Sequence, residues 1–225
     1  MLLSADEDTQ YTVKIRNARI NLAKVELHQE VKDNFQAVFL REPCIYFMRG
    51  SRFKQYSALK GTTSLTLTDI FPTNLLPDLC IFFFCEEKAL NVGTLTSNVH
   101  YHPHADVNRI SLSVGGHNVT RTLDFSSSKY IETYLDFLKA TEDSSIPRNI
   151  INYKSWSQGY SFFILNFQPE KAQGLVAEQL TGICNLQIQF ASALEENKTL
   201  FLYSILPQQL AIHQDGTIVL SPDLQ

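Results

Sequence analysis

No apolar run in the 225 residues approaches the roughly 18 that a membrane-spanning helix requires, so a membrane partner is not expected. The first ten residues, MLLSADEDTQ, also lack the basic stretch that opens a secretory signal. The chain therefore reads as soluble and intracellular. Basic charge is scarce and scattered: 19 Lys and Arg stand against 23 Asp and Glu, for a formal net charge of −4. Without a basic field, no sequence-specific binding of DNA or RNA is expected. Only four cysteines occur, Cys44, Cys80, Cys85 and Cys184, all inside apolar runs and none in CxxC or other metal-ligand spacing. That pattern predicts buried free thiols rather than bridges. There is no G-x-S-x-G, and no serine or cysteine has the context of a nucleophile. Internal repeats, low-complexity tracts and interdomain linkers are missing too. The Asn-x-Thr patterns at Asn118 and Asn197 are read as chance matches in a chain without a signal.

What is present is apolar content, 44% of the chain, enough for a substantial core in one domain spanning residues 1–225. Its plainest stretch is 182–220. Leu186, Ile188 and Phe190 alternate with polar residues, and Leu200, Leu202 and Ile205 follow a polar turn. Leu210 and Ile212 then face Ile218 and Leu220 across Asp215-Gly216, a pair suited to a tight hairpin. Period-two alternation between turns is the mark of half-buried antiparallel strands.

Upstream, Val13 and Ile15 alternate with charged or polar neighbours, and the apolar phase restarts at Ala18, Ile20 and Leu22, which predicts one strand bent near Asn17. Val31, Phe35, Val38 and Phe39 fall on one face of a helix over 28–40, ended by Pro43. Residues 44–48 and 53–59 read as two short strands around a turn at Gly50. Residues 63–71 alternate Leu65 and Leu67 with threonines. Leu79 to Cys85 is apolar without a break, the pattern of a strand covered on both faces, with Ile81 and Phe83 expected inside the sandwich and Phe82 and Phe84 under a covering layer. A strand at 110–114 turns at Gly115-Gly116 into 117–123. A second helix is expected over 128–139 with its N-cap among Ser126, Ser127 and Ser128. A polar connection over 141–149 and a strand over 160–167 precede a polar segment around Gly174. Eight to ten strands with long loops make an all-β antiparallel jelly-roll sandwich carrying two helical insertions.

The one segment with ligand-like chemistry is 100–106. His100 and His102 alternate on a stretch that, if extended, would place them on the same side. With Gly93, Asp106 and Gly115 they loosely resemble the first cupin motif, but both flanks are misspaced, an aspartate replaces the usual glutamate, and no second motif follows. His213 stands alone. The expectation is therefore of solvated loop histidines, at least partly exposed at His100, His102 and His104, with no catalytic residue, cofactor or metal. His100, His102 and Asp106 are the weak metal candidates.

A resemblance covers most of the chain. It is carried by Trp156-Ser157-Gln158-Gly159-Tyr160 through Asn166-Phe167-Gln168-Pro169-Glu170, by Gly182 to Leu194 around Asn185-Leu186-Gln187-Ile188-Gln189-Phe190, and by Ile212 to Val219. Upstream, Tyr11-Thr12-Val13-Lys14-Ile15, Leu76-Pro77-Asp78-Leu79 and the run from Asp106 to Gly116 join it. Together these resemble the C-terminal half of the double jelly-roll major capsid proteins of Polinton/Maverick transposons and adintoviruses. Departures from that pattern fall at 98–102 and at Gly115. The resemblance implies a structural, non-enzymatic protein of the virion, passing through host cytoplasm or nucleus. It also implies trimeric capsomers tiling an icosahedral shell, and a missing N-terminal jelly roll as partner. The competing reading is a jelly-roll module that binds ligand or carbohydrate, or a degenerate cupin metalloenzyme.

Overall fold

The computed structural model describes residues 12, 14–71, 76–90, 98–118, 123–124, 130–141, 151–167 and 181–221. Two five-stranded antiparallel sheets face each other. The first holds β1 (Cys44–Ala58), β9 (Lys198–Ile212), β3 (Leu79–Glu86) and β7 (Phe163–Asn166) in that order, with β10 (Ile218–Ser221) beside the end of β9. The second holds β2 (Ser64–Leu67), β8 (Cys184–Phe190), β4 (Val107–Val114) and β5 (His117–Asn118), with β6 (Leu123–Asp124) also on β4.

The pairings nest. β1 pairs β9, β2 pairs β8, β3 pairs β7, and β4 pairs β5 and β6. A chain that folds back on its own midpoint and then wraps as a double ribbon gives this order, which is the jelly roll. The all-β antiparallel class read from the alternation is thus the observed one.

The core lies between the sheets. Cys80, Phe82 and Phe84 enter it from β3, Leu186, Ile188 and Phe190 from β8, and Val107, Ile110 and Leu112 from β4. Val107 and Ile110 are three apart yet share a face because the β4–β8 register shifts between Val107 and Arg109. One inserted residue moves the following side chains to the other side.

The other face of β3 is covered as well, as its unbroken apolar run requires, but the phase is opposite to expectation. Phe82 and Phe84 are the interior residues, while Leu79 and Ile81 pack outward against a second cluster of Phe137, Trp156 and Ile164. An unbroken run carries no alternation from which phase can be read. After α1 (Gln29–Phe39) and the short α2 (Glu87–Leu90), two further helices, α3 (Ile131–Thr141) and α4 (Tyr153–Gly159), build that outer layer. The expected second helix is α3; its proposed cap, Ser126 to Ser128, and the segments 142–150 and 168–180 lie outside the described residues. The short α4 was not anticipated, although Asn152 caps it by accepting from the Ser155 N–H at 2.9 Å.

Two further expectations are corrected. Gly50 is no turn: β1 runs unbroken through it for 15 residues, pairing Gly50 with Leu206. A Cβ there would meet only the amide end of the Gln208 side chain, not backbone. Pro207, likewise inside β9, sits opposite Arg49 where β3 pairing has ended at Ile205 and β10 pairing has not begun at Gln209. The strand expected over 11–22 with a bend near Asn17 does not form over its described residues from 14 on: 14–28 carry no regular secondary structure, are exposed and pair with no strand. An alternating sequence makes a strand only where an edge receives it. The Asp215-Gly216 hairpin stands as read, with Gly216 at φ 81°.

Candidate assembly surface and the histidine segment

The three histidines of the ligand-like segment do not converge. His100 is exposed. His104 is half-buried, stacks on Tyr130 at 5.0 Å, and accepts the Asp106 N–H on Nδ1 at 3.0 Å. That bond caps a tight turn in which Ala105 and Asp106 take φ of 56° and 48°, and the turn feeds the chain into β4. His104 and Asp106 are therefore occupied in shaping backbone. Among the described residues, no group of three His, Cys, Asp or Glu side chains is placed to hold a metal ion.

His102 departs from expectation. Its exposure is only 8%, because its ring packs against both Phe83 at 4.6 Å and Phe162 at 5.1 Å, with Nδ1 3.2 Å from the Cys85 thiol. Its backbone forms a single parallel bridge to the link between α4 and β7: the His102 N–H donates to Gly159 O at 2.7 Å, and the Ser161 N–H donates to His102 O at 2.9 Å. Burial holds the imidazole below its ordinary pKa, opposed by a bond to the Phe84 backbone. Burial also pushes the Cys85 thiol up to about 11, helped by the neighbouring Glu86. Burial thus disfavours both the thiolate at Cys85 and the imidazolium at His102, the opposite of what activates a Cys–His nucleophile. Sequence alone could not pair Cys85 with His102, which meet only through the fold.

The four cysteines are all free. Cys80, Cys85 and Cys184 are buried and Cys44 half-buried. Burial raises Cys80 far above the usual thiol range and Cys184 up to about 12, as expected for inert core thiols.

The unusual surface lies at the start of the described chain. In 14–28, Ile15 is 85% and Ile20 is 88% exposed, with Leu22 and Val25 little less. Helix α1 (Gln29–Phe39) follows with no residue buried, and its apolar face leaves Phe35 61% exposed beside Val31 and Val38. The beginning of β1 continues the pattern, since Ile45, Tyr46, Phe47 and Met48 are all exposed. There β1 pairs with the far end of β9. An isolated helix of 11 residues is marginal in water, and large apolar side chains left uncovered in such number mark a contact site. Lys14, Arg16, Arg19 and Lys24 are interspersed among them in sequence and are exposed as well. Among the described residues no helix is long and apolar enough to cross a membrane.

No protein-family model matches the chain, and no curated protein matches it in sequence. Solved structures do. The chain is similar to VP54 of the virus PBCV-1, as fitted into a reconstruction of the virophage Sputnik, with a TM-score of 0.51 and 12% identity over 87% of this chain and 54% of that one. A quasi-atomic model of the PBCV-1 capsid matches at TM-score 0.47 and 11% identity, over 84% and 54% of the two chains. The mavirus major capsid protein matches at 0.42 and 12%, over 87% and 43%. The chain thus spans about half the length of the solved structures it resembles. The nested jelly roll derived above is the fold that it shares with VP54, and its solved neighbours are viral capsid proteins.

Proposed function

We propose that the chain is a structural module of a viral or transposon-derived capsid, one jelly roll of a double jelly-roll major capsid protein. In this reading residues 1–225 form the unit corresponding to the C-terminal half. A second jelly roll packs beside it, three such assemblies make a capsomer, and capsomers tile an icosahedral shell in the virion. The residue pattern resembling Polinton/Maverick and adintovirus capsid proteins supports the kind of element.

The observation that carries the proposal is the set of uncovered apolar side chains along 14–28, α1 and the first residues of β1. A ligand-binding module has no use for such a surface, whereas a subunit that is completed by neighbours requires one. The role assigned is non-catalytic, consistent with a histidine segment spent on packing and turn formation.

Light scattering on the purified chain across a range of concentrations tests this. Growth to the mass of three chains, lost when Phe35 and Val38 are changed to Ser, is the expected result. A single-chain mass throughout, together with stoichiometric binding of a sugar or a metal, would sink the proposal.

A further inference from the structure

We propose that residues 98–106 act as an acid-released latch, in which the His102 ring is the bolt that fastens this segment to the outer layer of the β3 sheet. The segment is joined to the α4–β7 link by the two backbone bonds of the His102–Tyr160 bridge. Two bonds hold little by themselves. What adds to them is the ring, packed in a three-ring cluster with Phe83 of β3 and Phe162 of the link, which also touch each other at 5.4 Å, and set beside the thiol of Cys85.

Phe83 in turn rests on Phe201 of β9, and Phe162 rests on Phe137 of α3, so the two rings that hold His102 are themselves backed by β9 and α3. The titratable groups around it are Cys85 from β3, His100 from its own segment, and Tyr160 at the bridge. Glu86, next to Cys85 in the chain, has its carboxylate 3.3 Å from Lys88 Nζ. The slot therefore suits a neutral ring. A doubly protonated ring would be a cation between phenyl groups and a thiol. Attraction from the phenyl faces offsets only part of that cost.

The sign follows from linkage. Detached, His102 takes up a proton near pH 6.5, the ordinary imidazole value. Latched, it resists protonation because of burial, with the bond to the Phe84 backbone opposing this. Above that pH the neutral ring suits both states and the latch is closed. As pH falls below it, the detached state alone gains the proton, so acid favours release. Release uncovers Cys85, whose native exposure is 2%.

That uncovering supplies the measurement. Dithiodipyridine labels thiols in acid, and peptide mapping separates Cys85 from Cys44, whose partly exposed thiol corrects for the reagent's own pH dependence. The ratio of Cys85 to Cys44 labelling should rise on the order of tenfold from about pH 7 to about pH 5. In His102→Phe, which keeps an aromatic bolt that cannot titrate, the ratio should stay low at both. In Gly159→Ala, whose new Cβ would lie 2.6 Å from the Tyr101 ring, it should be high at both. A flat ratio in the native protein overturns the proposal, as does a pH dependence that survives His102→Phe. Should that variant fail to fold, the native imidazole signals by NMR decide the matter. Protonation of His102 without faster exchange of the Ser161 amide would equally overturn it.

Discussion

Phe82 and Phe83 are neighbours in sequence, but they stand on opposite sides of β3. Phe82 is fully buried and stacks on Phe163 at 4.9 Å inside the sandwich, whereas Phe83 lies in the outer layer among His102, Phe162 and Phe201. Truncating an aromatic in a closed core leaves a cavity that the surroundings fill only in part. Phe82→Ala should therefore cost about 3–5 kcal/mol in denaturant unfolding. Phe83→Ala should cost distinctly less, because Phe83 is only half-buried; equal losses would show that the phase assigned to β3 is wrong. Thiols allow a second test at this scale. Cys80 and Cys184 face each other's sheets in the core, and burial disfavours both thiolates. At neutral pH they should resist iodoacetamide until the protein is unfolded in urea, while Cys44 reacts; labelling of all four at one rate would contradict the packing.

Among the elements, α1 and α3 are instructive because their sequences look alike and their surroundings do not. Both are 11 residues long with an apolar stripe. That of α3 lands on β7 and Trp156, burying Phe137, while that of α1 buries nothing. Changing Phe35 and Val38 to Ser should consequently leave the melting temperature of the isolated chain within about 2 °C, a surface effect, yet abolish self-association. A large drop in melting temperature would mean that α1 packs on its own subunit. This pair also shows what sequence can yield. Periodicity placed α1, α3, β8, the end of β9 and its hairpin correctly, since local pattern and local partner agree there. It failed at 14–22, where alternation is present but no edge receives it, and at Gly50, where a punctuating residue lies inside a long strand that cross-strand pairing keeps whole. The His102 slot was not legible at all. Its neighbours come from residues 83, 85 and 162, backed by 137 and 201, whereas the histidine segment reads in sequence as a solvated loop.

At the scale of the whole molecule, the apolar start of the chain and the wrapped sandwich behave as separate parts. If neighbours cover 14–28 and α1, association should proceed with a negative heat-capacity change, the mark of buried apolar area. Calorimetry of dilution would read it directly; a heat-capacity change near zero would point to contacts made by charge alone.

The nesting of strands also orders events in time. Cys44 pairs with Ile212 and Ala58 with Lys198, so the first strand of the sandwich has no partner until the ninth has been made. At a synthesis rate of 5–20 residues per second, β1 waits on the order of ten seconds beside an uncovered α1. During that interval the ribosome-bound chain shows its stickiest surface and its longest open edge together, and non-local pairing of this kind is slow to form even afterwards. Chains halted before Lys198 should therefore pellet with the insoluble fraction or remain bound to chaperones, whereas chains halted after Ile212 should be released folded.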